Sequence, residues 1–194
     1  MMKTIVYIFL AIFLLGCANT DNNTEAIHRI KSGNFRVFKN IMIQARNHQK
    51  DKPIAYFFTK EINKKKFLLP NLSLFNCKLN DSTCFKKHTN KKFDIDGFIK
   101  ASNIKNNNDV HQYTYNFIKE VITEYEKTGV QKIISNSDIG NCIIFYLNEK
   151  YFLAYVPEIS NVYNVFWKNS FNDKNKIDKY WYSGSIPATS NHKQ

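Results

Sequence analysis

Cys142 and His111 are, by type, the pair of side chains best suited to nucleophilic chemistry, a thiol beside an imidazole base. Cys142 lies inside the apolar run Cys142 to Leu147, which reads as a strand, whereas a reactive thiol needs an accessible, thiolate-favouring setting. It is expected as a buried free thiol. The remaining histidines, His28, His48, His88 and His192, are scattered and form no His-Glu-x-x-His pairing. Asp94 and Asp96 flank Ile95 like paired carboxylates, but a short helix around Asp96 to Ser102 gives them a capping role instead. Cys77, Cys84 and His88 are all metal-ligand types, yet the cysteine spacing is wider than zinc pairs use and no fourth ligand follows. With 6 glycines in the chain, no glycine-rich phosphate loop is present. From these residues we expect no catalytic group, metal or cofactor, and a chain that is not an enzyme.

The most specific chemistry is at the N-terminus. Leu14-Leu15-Gly16-Cys17 closes the apolar run Thr4 to Leu15 behind a lone Lys3. A charged start, an apolar stretch and small exit residues mark an export signal, and the stretch is shorter than the roughly 20 residues of a transmembrane helix. The segment resembles a bacterial lipoprotein signal peptide, with Leu14, Gly16 and Cys17 in the motif positions and Leu15 bulkier than usual. The resemblance implies a diacylglyceryl group on the Cys17 thiol, cleavage just before it, and acylation of the new amine. Burial of each acyl CH₂ contributes about 0.8 kcal/mol, so two or three chains anchor firmly. Ala18 is not the aspartate of an inner-membrane retention signal, so the resemblance points to the outer membrane facing the periplasm, or to the outer surface of a single membrane. Cys77 and Cys84 share the polar loop Asn76 to Cys84, and in an oxidising compartment a disulfide between them would close a small ring worth about 2–3 kcal/mol.

Residues 1–16 are thus read as signal peptide, 17–23 as lipidated N-terminus and tether, 24–184 as a single α+β domain and 185–194 as a flexible tail. Six residues, Ala18 to Asn23, reach only about 20 Å when extended, which keeps the domain close to the bilayer. A 43% hydrophobic, 15% aromatic composition is sufficient for a core. The net charge is +12, and +11 without Lys3. That excess is either drift in an asparagine-, isoleucine- and lysine-rich composition or an attraction to anionic headgroups or an acidic partner. Nucleic acid does not fit a chain tethered outside the cytoplasm.

The elements follow from periodicity. Ile27, Ile30, Val37, Ile41 and Ala45 fit a helix from Thr24, interrupted at Ser32-Gly33-Asn34. Ile54 to Phe58 fits a strand or another helical turn. The lysine-rich middle, Asn63 to Asn108, gives little pattern; Lys64-Lys65-Lys66, Lys86-Lys87 and Lys91-Lys92 read as solvated surface. Asp109 to Thr128 is an amphipathic helix with Val110, Tyr113, Phe117, Val121 and Tyr125 on one stripe and Gly129 as its cap. Beyond it Val130 to Ser135, Cys142 to Leu147, Tyr151 to Val156, Val162 to Lys168 and Lys179 to Ser183 read as strands. The expected fold is α+β, with N-terminal helices and one amphipathic helix packed on a C-terminal antiparallel β-meander of about four to five strands.

Neither face of that meander is polar. Phe152, Ala154 and Val156 alternate with Tyr151, Leu153 and Tyr155. Either both faces are covered, or one remains an aromatic surface on which Tyr151, Tyr155, Tyr163, Trp167 and Trp181 would bind a partner. Two functions are expected on this basis: a noncatalytic envelope module that binds a protein, as an inhibitor or immunity-like factor, or an accessory protein docking on anionic lipid or lipopolysaccharide. A cationic lysozyme target is disfavoured by like charge.

Overall fold

The computed structural model describes residues 24–46, 55–69, 94–104 and 107–186. Helix α1 covers 24–32. Three strands follow, β1 (Ile41–Arg46), β2 (Ala55–Ile62) and β3 (Lys65–Leu68), then the helices α2 (Ile95–Ser102) and α3 (Asn107–Thr128). The chain continues through β4 (Lys132–Ile134), β5 (Ile143–Tyr146), β6 (Tyr151–Tyr155), the short helix α4 (Val165–Ser170) and β7 (Trp181–Ser185). The seven strands among the described residues form one antiparallel sheet in the order β3-β2-β1-β4-β5-β6-β7. The fold is α+β, and the sheet has more strands than the sequence suggested.

Two segments correct the reading from sequence. The apolar spacing that suggested continued helix through Ala45 ends at 32, and Ile41 to Arg46 is a strand. Asn40, at φ 60°, turns the chain out of any helical path, a conformation that asparagine tolerates. Beyond it Ile41 and Ile43 are buried and Gln44 is exposed, a period of two. Pairing on both edges, with β2 and β4, satisfies the β1 backbone more completely than a solitary helical turn would. The second correction is Val162 to Lys168, read as a strand. Here the Asn164 side chain accepts from the Trp167 backbone N–H at 3.2 Å and starts α4. Val162, Trp167 and Phe171, spaced by four or five residues, are the ones that reach the core.

Where turn chemistry was explicit, the sequence was followed. Asp94 caps α2 by accepting from Gly97 N–H at 2.9 Å. Gly129 takes φ 67° after α3. The Asn148 side chain accepts from the N–H groups of Lys150 and Tyr151, closing the β5–β6 hairpin. The turn between β2 and β3, in the stretch with little sequence pattern, has Asn63 and Lys64 both at positive φ, the geometry that two-residue hairpins use. Helix α3 starts at Asn107, two residues before the Asp109 expected from the sequence.

The sheet separates two cores. On one face α1, α2 and α3 cover Ile41, Ile43, Phe58, Phe67, Ile133, Phe145, Leu153 and Trp181, with Ile118, Val121, Ile122 and Tyr125 supplied by α3. On the other, α4 and its flanking loops cover Ile144, Phe152, Ala154 and Tyr182. Tyr113, although exposed, stacks on Phe117 at 6.0 Å, and the Lys60 ammonium lies 3.9 Å from the Phe117 ring centroid. Over β5 to β7 both faces are therefore covered, which explains why neither face reads as polar.

Candidate binding surface

Phe35, Arg36, Phe38 and Lys39 occupy a 3₁₀ turn, Phe35–Phe38, and its cap. Residues three apart eclipse in such a turn, so the phenylalanines share one side and the cations another. Phe38 is buried edge-on against Phe145 at 5.9 Å. Phe35 packs on Tyr155 at 4.8 Å and on Trp181 at 4.9 Å. Those contacts fix the turn and leave Arg36 and Lys39 facing solvent. With Asn141, Ile143, Tyr155 and Pro157 they line a cleft of about 230 Å³. Ile143 and Tyr155 form its floor as register partners between β5 and β6. Among the described residues, neither Arg36 nor Lys39 has a carboxylate within ion-pair distance.

Pro157 joins this cleft to the loop between β6 and α4. The loop contains a 3₁₀ turn, Ile159–Asn161, whose polar side chains bond locally: Ser160 and Asn161 donate to the Glu158 carboxylate at 3.0 and 2.6 Å. Val162 and Trp167 anchor its far end in the core. Ile159, before the first of those anchors, and Tyr163 and Val165, between the two, stand in solvent, at 42%, 73% and 71% exposure. Three exposed apolar side chains within seven residues, on a loop with fixed ends, suit contact with another surface.

The five aromatic residues expected to form one patch are divided. Trp167 (7% exposed) belongs to the core under α4 and Trp181 (6%) to the core on the opposite face. Trp167 is buried because 165–170 is a helix and not the strand read from the sequence, and Trp181 because Phe35 of the 3₁₀ turn packs on it. Tyr155 lies beside Trp181, at 5.3 Å, and reaches the cleft. Tyr163 projects from the loop and Tyr151 is exposed at the start of β6. Cys17, Cys77 and Cys84 lie outside the described residues.

Cys142 is buried, its thiol donates to the Ile139 carbonyl at 3.1 Å, and burial pushes its pKa up to about 12. It belongs to the core under α4, whereas α3, which carries His111, packs on the opposite face. Among the described residues no group of three His, Cys, Asp or Glu side chains could hold a metal, and no helix is long and apolar enough to cross a membrane. Sequence reasoning missed the Arg36 and Lys39 cleft; the signal was the paired Phe35/Phe38 and Arg36/Lys39 spacing, absorbed there into a longer helix. Comparison with known proteins finds no matching family model, no similar curated protein and no similar solved structure.

Proposed function

We propose that this chain is a lipid-anchored protein of the bacterial cell envelope, held by acyl groups on Cys17 at the outer membrane facing the periplasm, and that it acts there as a noncatalytic protein-binding module of the inhibitor or immunity type. The observation that carries the binding role is the loop from Pro157 to Val165, where Ile159, Tyr163 and Val165 are exposed on a backbone fixed by Val162 and the Asn164 cap. Aromatic side chains on rigid supports lose little entropy when they dock, which favours them as interface anchors. Affinity capture from envelope extract with the full chain tests this. Wild type should retain one saturable protein, lost on Tyr163→Ser with Val165→Ser. Failure to retain any protein, or retention indifferent to those substitutions, would overturn the reading.

Docking on anionic headgroups through lysines is the second reading. It is supported by the exposed Lys64, Lys65 and Lys66 at the β2–β3 turn. It is weakened because Lys65 already meets Asp94 at 2.7 Å and Lys66 meets Asp138 at 2.5 Å. Vesicles rich in phosphatidylglycerol distinguish the two: salt-sensitive recruitment of a Cys17→Ser chain favours headgroups, and its absence removes them.

A further inference from the structure

We infer that the cleft beside the Phe35–Phe38 turn receives a carboxylate from an acidic segment of the docked protein. This inference rests on the reading of the adjoining Pro157 to Val165 loop as the docking surface. Arg36 and Lys39 project from one side of a turn whose other side is locked by Phe38 and Phe35 in the core. The turn that carries these charges is thus fixed by aromatic packing, with no carboxylate among the described residues at ion-pair distance from either cation. A guanidinium offers a planar fork of donors that matches a carboxylate, and the ammonium adds a second positive charge three residues on. The Tyr155 ring and Ile143 give the cleft an apolar floor suited to the methylenes of a glutamate side chain.

Two acidic groups among the described residues have partners of their own. Glu158, the closest in sequence to the cleft rim, accepts from Ser160 and Asn161, and Asp178 meets Lys31. The chain as a whole is strongly cationic, so an acidic partner would also be steered toward it. Apolar side chains at Ile159, Tyr163 and Val165 next to a cationic cleft fit a protein segment that alternates acidic and apolar residues better than a bare polyanion.

The test uses the full chain in neutral detergent micelles and fluorescein-labelled hexaglutamate as the probe. Arg36→Ala with Lys39→Ala should weaken binding about tenfold or more, whereas Lys174→Ala with Lys176→Ala, which removes the same charge from another exposed site, should change it less than about twofold. Equal weakening by both pairs would overturn the inference, because binding would then follow net charge alone. Recruitment to phosphatidylglycerol vesicles that needs Arg36 and Lys39 while hexaglutamate binding does not would overturn it in favour of a headgroup. Capture of the envelope partner separates this inference from the reading beneath it. Loss with the Tyr163 and Val165 substitutions but not with the Arg36 and Lys39 pair would remove the cleft and leave the docking loop standing. Cleft-dependent hexaglutamate binding with loop-independent capture would do the reverse.

Discussion

The Asn161 carbonyl oxygen occupies the place where residue 140 would carry a side chain: a Cβ on Gly140 would lie 1.9 Å from it. Gly140 also has φ 81°, which disfavours any other residue on conformational grounds. This contact seats the Ser137–Ile139 turn against the Ile159–Asn161 turn and so fixes the loop that presents Tyr163. Gly140→Ala should therefore destabilise the fold by about 2–4 kcal/mol through clash and strain together. Urea unfolding of wild type and variant measures it; a change below about 0.5 kcal/mol would show that the two turns separate freely.

Tyr163 and Trp167, four residues apart, should respond oppositely to truncation. Trp167 fills the core with Phe152 at 5.2 Å and Phe171 at 5.8 Å, so Trp167→Ala should cost about 3–5 kcal/mol. Tyr163→Ser should stay within about 0.5 kcal/mol of wild type. Thermal melts of the two variants check this contrast, and a large loss for Tyr163→Ser would place that ring in the fold rather than on a free surface.

Tyr125 links α3 to the sheet through one hydroxyl, which accepts from Ala45 N–H at 3.2 Å and donates to the Gln131 carbonyl at 2.7 Å. Tyr125→Phe keeps the ring packed on Tyr56 but leaves both backbone groups without that partner. A loss of about 1–3 kcal/mol is expected. Chemical denaturation supplies the number, and hydrogen exchange at the Ala45 amide should accelerate in the variant.

Alkali should weaken the fold through two acids, the buried Cys142 thiol and the half-buried Tyr146 hydroxyl. Burial pushes Cys142 from 9.0 to about 12, and burial together with the nearby Cys142 pushes Tyr146 from 10.0 to about 12. The folded chain thus keeps protons that the unfolded chain releases, so this stability is intact below about pH 9 and is lost as pH rises toward 12. At pH 8 the Cys142 thiol should resist a disulfide reagent until the chain is unfolded. Fast labelling of native Cys142 would contradict the burial.

Elements whose signals are local were legible in the sequence: α3 with Val121 and Tyr125 on its buried side, the Asp94 cap, Gly129 and the alternation in β6. Those decided by distant partners were not. β1 is made a strand by neighbours at both edges, and β3 by pairing with β2, although Lys65 and Lys66 look like loop. α4 was hidden because Tyr163, Val165 and Trp167 alternate like a strand while Asn164 alone marks the helix start. The cleft went unread for a related reason, since Arg36 and Lys39 share it with Tyr155 only once β6 is placed beside the turn.

A photo-crosslinking amino acid at position 163 of the lipidated chain in intact cells tests the central claim most directly, with the same group at the exposed Glu149 position as its control. The account predicts one dominant protein adduct at 163 that is absent at 149 and is reduced by Arg36→Ala with Lys39→Ala. Adducts of the same kind at both positions, or none at 163, would contradict it.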